Sequence, residues 1–315
     1  MSGRRELTVV VPTYNPRMDH FQRVLESLRR QTAAKDTWDL LVVDNNSEPP
    51  VAGQIDLSWH PRARVLVETR QGKMHAIGAA FRNTETELVM FLDDDTVANT
   101  DLVERTLRIA ARHTMLGTWS PRVELEFEDP ALAPSVPLLR AMLSERLIDE
   151  PAWSNDLNHA ASTPWGGGMC VRRSVADAYL VQTAANPNRL QLDPMGDQPG
   201  YGGDSDLAFT GCSIGLGMGV FPELVITHLI PARRSTREYL LRNLEAHEYS
   251  HILQQHAHTG RVPPRPTMRS RVVRWLRWAK SGPAAREIMA AEDRSRAAAR
   301  HTIATGKDAR SVTHR

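Results

Sequence analysis

The chain has 315 residues, 41% of them hydrophobic and 24% charged, which supplies a sizeable core and excludes collagen-like, coiled-coil and wholly disordered chains. A net charge of +2 conceals a split: residues 261–315 carry 14 Lys/Arg against 4 Asp/Glu, and the rest carry 25 against 33. Basic charge confined to one end excludes a globally basic nucleic-acid binder.

Leu7–Pro12 is a β-branched apolar run without alternation, the pattern of a strand buried on both faces of a parallel sheet. Phe21, Val24, Leu25 and Leu28 recur at helical spacing, and Trp38–Val43 gives a second buried run ending in Asp44-Asn45-Asn46-Ser47, so the opening reads as a β-α-β unit. Arg64–Val67 predicts a strand, Gly72–Arg82 a small-residue helix, Glu87–Leu92 a strand and Asp101–His113 a helix. This alternation predicts a doubly wound α/β fold whose ligand groups lie at the carboxyl ends of the strands. Residues 121–163 hold five prolines and an acidic patch (Glu124, Glu126, Glu128, Asp129) and predict a loop-and-helix insertion. A strand at Gly168–Val171, a helix from Ser174, a Gly/Pro-rich loop over Pro194–Gly203, a helix from Asp204 and strands near Val220 and Val225 complete the body. From Ser235 the pattern is mostly helical.

Two cysteines, Cys170 and Cys212, cannot form a disulfide framework and suit core positions in a reducing compartment. Met1–Glu6 has no apolar signal region, and Cys212–Pro222, the longest weakly charged run, is about half of the roughly 20 residues that cross a bilayer. The expected location is cytoplasmic, with peripheral contact at the inner face of the membrane as an option.

The chemistry concentrates at Asp93-Asp94-Asp95, directly after the apolar run Leu88–Leu92. Adjacent carboxylates at a buried strand end need a cation or donors to offset their repulsion, and Mg²⁺ or Mn²⁺ binds one or two carboxylates together with substrate phosphates. A solvated acidic turn capping the next helix is the plainer alternative. Asp204 and Asp206 suit either helix capping or general-base work on a hydroxyl. His228, after Leu224–Thr227, is either an ordinary strand-end histidine or the completion of a metal site with the triplet.

In this order, Val11-Pro12-Thr13-Tyr14-Asn15, Val42–Ser47 (VVDNNS), Gly72-Lys73, Phe91–Asp95 (FLDDD), Trp165–Met169 (WGGGM) and Gly203–Leu207 (GDSDL) resemble family 2 glycosyltransferases of the GT-A fold. The resemblance spans roughly residues 7–231, and its most specific elements are PTYN with VDNNS and the 21-residue step from Gly72 to Asp93. It implies a mostly parallel central sheet flanked by helices, with a nucleotide-binding half at 1–120 and an acceptor-side half at 121–231. A helical extension over 232–290 and a partly disordered basic tail over 291–315 would follow.

The resemblance further implies that Pro12, Thr13, Tyr14 and Asp44 hold the nucleotide base and that Lys73 lies near its phosphates. Asp93 and Asp94 would contact the ribose or metal-bound waters, and Asp95 and His228 would ligate Mn²⁺ or Mg²⁺. Asp204 would be the base, with Asp206 able to share that role. The family usually has Glu where Gly203 stands, Asn where Gly78 stands and Arg where Thr210 stands. The activity implied is inverting transfer from a nucleotide-diphospho-sugar, by default a UDP-sugar, to a sugar, lipid-linked or other hydroxyl acceptor. Trp153, Trp165 and Tyr201 suit either sugar stacking or ordinary packing.

In Met268–Lys280 a helical projection gathers Met268, Val272, Trp275, Leu276 and Ala279 on one side, with Trp278 at the margin and Arg269, Arg274, Arg277 and Lys280 around the other. This basic amphipathic helix either packs its stripe on the body or lies on an anionic membrane. Rival readings of the whole chain are a sugar nucleotidyltransferase, although Val9–Asn15 lacks that class's glycine-rich basic loop, and a non-catalytic nucleotide-sugar binder. A Rossmann dehydrogenase is disfavoured, because Gly215–Gly219 lacks the required glycine spacing and sits far from the first strand.

Overall fold

The structure is a computed structural model that describes residues 6–191, 202–260, 262, 264 and 266–305. In β1 (Leu7–Thr13), Leu7, Val9 and Val11 enter one hydrophobic layer and Val10 the other. Helix α1 (Met18–Arg29) presses Phe21, Val24, Leu25 and Leu28 onto the first layer. In β2 (Trp38–Asp44), Leu40 and Val42 join that layer while Leu41 and Val43 join the second. After β3 (Ala63–Val67), helix α2 (Lys73–Arg82) covers the second layer with Met74, Ala76, Ile77, Ala80 and Phe81. The sheet is therefore apolar on both faces, which is why its strands read as continuous hydrophobic runs.

Strand β4 (Leu88–Phe91) pairs parallel to β1, the short β5 (Thr96–Ala98) follows the acidic triplet, and α3 (Leu102–Arg112) packs on the first layer. Next come β6 (Leu116–Phe127), α4 (Pro137–Ala141), β7 (Ala152–Ser154) and β8 (Cys170–Arg172). Helices α5 (Arg173–Ala185) and α6 (Gly203–Ser213) flank the second layer before β9 (Gly217–Ile230). The strand order is β3-β2-β1-β4-β8-β6-β9-β5, with β7 also on β9.

Two expectations change and one is refined. The sheet is mostly parallel, as expected, through β3, β2, β1 and β4 and the long β6–β9 ladder, but β8 runs antiparallel to both β4 and β6. The chain enters β8 at the carboxyl end of β4, through the Trp165–Met169 loop, and without a crossover helix it must run back. The first half of the acidic patch belongs to a strand rather than an insertion: Val123, Leu125 and Phe127 are more buried than Glu124 and Glu126 along β6, while Glu128 and Asp129 follow its end, and Glu126 and Glu128 pair with Arg23 and Arg17 of the α1 region. The two strands expected near Val220 and Val225 are one, β9, with a pairing irregularity between Phe221 and Val225.

Beyond the sheet, the Thr236 hydroxyl caps α7 (Arg237–Thr259), and α8 (Met268–Lys280) precedes α9 (Pro283–Thr305). Helix α9 lies alongside α7 in the same direction, with Arg237 paired to Glu287, Arg294 to Glu245, and the Tyr249 hydroxyl 2.9 Å from that of Thr302. The segment from Ala291, expected to be partly disordered, is helical as far as Thr305. It buries small residues, Ala291, Ser295 and Ala299, in place of a bulky stripe. Residues 306–315 lie outside the described residues.

The apolar stripe of α8 does not pack on the body: Met268, Val272, Trp275, Leu276 and Ala279 are all exposed. Cys170 is buried and Cys212 partly so, and burial pushes both thiols up, which suits inert packing positions. Among the described residues no helix is long and apolar enough to cross a membrane.

Candidate active site

Parallel pairing aligns the carboxyl ends of β1 and β2, with Thr13 opposite Asp44, and leaves Pro12 and Thr13 at the sheet's rim. Tyr14 beyond them is half exposed, and its hydroxyl accepts from Gln71 Nε2 at 3.1 Å. Asp44 is 1% exposed, and its oxygens accept the backbone N–H groups of Ser47 (2.8 Å) and Val51 (2.9 Å). Its visible work is to shape the loop beside the rim. Asn45 ties that loop to α2: its amide donates to the Glu68 and Arg70 carbonyls, and its oxygen accepts from Gly72 N–H at 2.7 Å.

The acidic triplet follows β4, and its three members have different partners. Asp93 Oδ1 pairs with Lys73 Nζ at 2.7 Å, Lys73 being the first residue of α2. Asp94 Oδ2 is 2.5 Å from the Thr13 hydroxyl. Burial and the neighbouring Asp95 charge push the Asp94 carboxyl up to about 7, outweighing the Thr13 hydrogen bond. Asp95 Oδ2 lies 3.4 Å from His228 Nε2 and 2.8 Å from the Arg234 guanidinium. Burial opposes ionisation of Asp95, but His228 and Arg234 prevail and hold its carboxyl well below the usual carboxylate range.

Pairing of β5 with β9 sets Thr96 opposite His228, so the triplet and the histidine meet although 133 residues separate Asp95 from His228. His228 Nδ1 is 2.8 Å from the Leu143 carbonyl oxygen, which accepts its proton and turns Nε2 toward Asp95. Among the described residues no three His, Cys, Asp or Glu side chains form a metal cluster. Asp95 and His228 nevertheless form a two-donor half-site, the ligand count that Mg²⁺ and Mn²⁺ accept when phosphates and waters complete their shell. The residues fit a divalent ion, which would compete with the Arg234 guanidinium for Asp95.

The Trp165–Met169 loop closes the arrangement. Gly166 N–H donates to Asp204 Oδ2 at 2.7 Å, and Ser205 N–H donates to Asp204 Oδ1 at 2.8 Å. A Cβ on Gly166 would come within 3.3 Å of Asp204 Oδ2 and 3.4 Å of Lys73 Nζ, so the lysine and the aspartate meet across a glycine with no room for a side chain. Gly168 adopts φ of +72°, and a Cβ there would fall 2.6 Å from the Pro121 ring. Trp165 lies under the Arg146 guanidinium at 4.8 Å, and Arg146 also donates to the carbonyls of Thr163 (2.5 Å) and Ala161 (2.6 Å).

Asp206 does not share the site of Asp204. It is buried with Arg189 at 2.8 Å, and Arg189 also reaches the Thr210 hydroxyl at 2.8 Å. A guanidinium thus stands beside Thr210, supplied by another element. Trp153 is opposite Gly219, nine residues or roughly 30 Å along β9 from His228, and meets His113 in a tilted ring contact at 5.4 Å. It is too distant to share the site. Tyr201 lies outside the described residues. The sequence motifs missed Arg234, Arg146 and the bridging role of Asn45.

Residues 8–178, more than half of the chain, match the model of glycosyl transferase family 2. The chain belongs to glycosyltransferase family 2. The family match takes in the rim, the triplet and the Trp165 loop, and it stops before Asp204, His228 and Arg234. Among curated relatives, an uncharacterized glycosyltransferase of Haemophilus influenzae is 29% identical over 103 residues, 33% of this chain and 34% of that protein. An N-acetylglucosaminyltransferase of Bradyrhizobium diazoefficiens is 24% identical over 252 residues, 75% of this chain and 47% of that one. The family 2 chain described here thus spans half or less of the length of these relatives.

Two solved structures share its GT-A fold. The mannosyltransferase PcManGT from Pyrobaculum calidifontis, in complex with GDP-Man and Mn²⁺, superposes with a TM-score of 0.55 at 21% identity, covering 98% of this glycosyltransferase and 83% of its own chain. Residues 1–349 of S. aureus TarS superpose at 0.51 with 14% identity, covering 96% and 92%.

Proposed function

We propose that this family 2 glycosyltransferase moves a sugar from a nucleotide-diphospho-sugar, first of all a UDP-sugar, to an acceptor hydroxyl with inversion at the anomeric carbon. One observation carries the reading: a lysine suited to phosphate and an aspartate suited to proton abstraction face each other across Gly166, beside an acidic triplet joined to His228. The S. aureus TarS complex with UDP and the PcManGT complex with GDP-Man extend the nucleotide class to UDP or GDP. The unpaired thiols suit a reducing compartment such as the cytoplasm.

In this reading Pro12, Thr13 and Tyr14 receive the base, Asp44 holds the loop around it, and Lys73 exchanges Asp93 for a donor phosphate. Asp95 and His228 Nε2 would hold Mn²⁺ or Mg²⁺, which when bound supplies Lewis-acid neutralisation of the leaving diphosphate. Asp204, oriented by the Gly166 and Ser205 N–H groups, takes the acceptor hydroxyl proton. The acceptor oxygen forms its bond to the anomeric carbon from the face opposite the diphosphate, and the breaking bond's electron pair leaves with the nucleotide. Trp165 offers a ring for the acceptor sugar to stack on.

The test is a nucleotide-sugar panel read by thermal shift with and without Mn²⁺, followed by transfer assays and product stereochemistry. The expected result is a metal-dependent rise in apparent melting temperature with one donor, followed by a product of inverted configuration. Retained configuration would remove Asp204 as the base, and donor binding without transfer or hydrolysis would make the chain a sugar-nucleotide binder instead.

A further inference from the structure

Helix α8 is a described segment whose chemistry the transferase reading leaves unused. Of its thirteen residues only Arg274 is partly covered; the other twelve are exposed. Exposure reaches 74% at Met268, 52% at Val272, 62% at Trp275 and 46% at Leu276. Tryptophan, leucine and methionine on one stripe of an amphipathic helix normally mark a face that is covered in use.

The way α8 is fastened decides where that face points. Arg274 donates to Asp293 Oδ2 at 2.7 Å and to the Met289 carbonyl at 2.5 Å on α9. At about 100° per residue, Arg274 lies on the side of α8 opposite the stripe. Its ties to α9 therefore turn Met268, Val272, Trp275 and Leu276 outward. From α9, Arg286 donates to the Trp278 and Ala279 carbonyls at 3.0 and 3.1 Å and lies 4.4 Å over the Trp278 ring. The helix is held from behind.

Its charge selects the occupant. Helix α8 contains Arg269, Arg271, Arg274, Arg277 and Lys280 and no acidic residue. By the same projection Arg269 and Arg271 flank the stripe by about 80° on either side. We propose that α8 seats the protein on an anionic lipid bilayer, with the stripe entering the acyl boundary and Arg269, Arg271 and Lys280 meeting headgroup phosphates. Packing two copies through this face would bring like-charged helices together without an acidic partner, which disfavours self-association. The inference stands apart from the sugar chemistry, because neither donor nor acceptor enters it.

The test uses the full chain without nucleotide sugar, sedimented with vesicles of phosphatidylcholine alone or mixed with phosphatidylglycerol. Binding to the mixed vesicles is expected at low salt, together with a blue shift of tryptophan emission. The double variants Trp275→Ser with Leu276→Ser, and Arg269→Glu with Arg271→Glu, should each weaken it by at least about tenfold, as should high salt. Circular dichroism matching the parent confirms that these exposed substitutions leave the fold intact. Equal binding by parent and variants, equal binding to both vesicle types, or no binding at low salt overturns the proposal. So does a dimer in light scattering that the Trp275→Ser with Leu276→Ser variant dissolves, which assigns the stripe to a second copy.

Discussion

About 200° of helical rotation separates Asp204 from Asp206 on α6, so the two carboxylates leave the helix in opposite directions. Asp204 turns toward Gly166 and Lys73, and Asp206 turns into a buried ion pair with Arg189. Their substitutions should therefore separate. Asp204→Asn keeps one of the two backbone hydrogen bonds, because its NH2 cannot accept from the other N–H, so stability falls by about 1 kcal/mol, while transfer falls by at least about 100-fold and donor affinity is retained. Asp206→Ala leaves the Arg189 charge buried without its carboxylate, so stability falls by about 3 kcal/mol while turnover per folded molecule is kept. Denaturant titration beside steady-state kinetics reads both; a collapse of activity in the Asp206 variant with unchanged stability would return Asp206 to the chemistry. The sequence put Asp204 first yet left Asp206 able to share the role, because the helix face each occupies depends on what packs there.

At the scale of elements, the strand ends and the loop after residue 160 form the site. The β1, β2 and β4 runs and the triplet were legible because a sheet buried on both faces leaves unbroken apolar runs that stop where polar groups begin. His228 could be matched to the triplet only through the family resemblance, since β5–β9 pairing joins residues far apart in sequence. Arg234 escaped because the motifs end near Pro231, three residues before it. Arg146 escaped because its partners are backbone carbonyls and one ring, which leave no motif.

Arg146 is the positioning residue of the Trp165 loop. Desolvation pushes its guanidinium down to about 10, and the fork to the Thr163 and Ala161 carbonyls keeps it in place over the Trp165 ring. Arg146→Lys keeps the charge and loses the fork. The expected outcome is a rise of about tenfold in acceptor KM with donor affinity unchanged, and a stability loss of about 1–3 kcal/mol by urea titration. Equal weakening of donor and acceptor would mean that Arg146 supports the fold as a whole rather than this loop.

For the molecule as a whole, buried titratable groups make stability depend on pH. His60 is 3% exposed, edge-on to Trp38 at 4.3 Å and to Trp59 at 5.6 Å, with its Nδ1 accepting from Arg62 N–H at 3.2 Å. Burial, aided by the Lys35 charge, lowers its pKa to about 4, and burial lowers those of His20 and His75 as well. Between that value and the ordinary 6.5, the unfolded chain binds the proton that folded His60 refuses. The His60 contribution is therefore complete above about 6.5 and drains away as pH falls toward 4, by at most about 3 kcal/mol, while the buried Asp94, raised to about 7, opposes it by binding its proton in the folded state across the same window. Carboxylates with depressed values act later: Glu68, held at about 2 by Arg70, loses its contribution only below the usual carboxylate range. Between 6.5 and 4 the His60 and Asp94 contributions oppose each other, so the His60 part is read as a difference, and below that window protonation of the depressed carboxylates lowers the melting temperature. His60→Phe keeps the ring packing and removes the titration, so relative to the parent its melting temperature should fall less, or rise more, from pH 6.5 to 4, even if the lost Arg62 hydrogen bond lowers the plateau by about 1 kcal/mol. Parallel curves for parent and variant across that window would place the acid sensitivity elsewhere in the molecule.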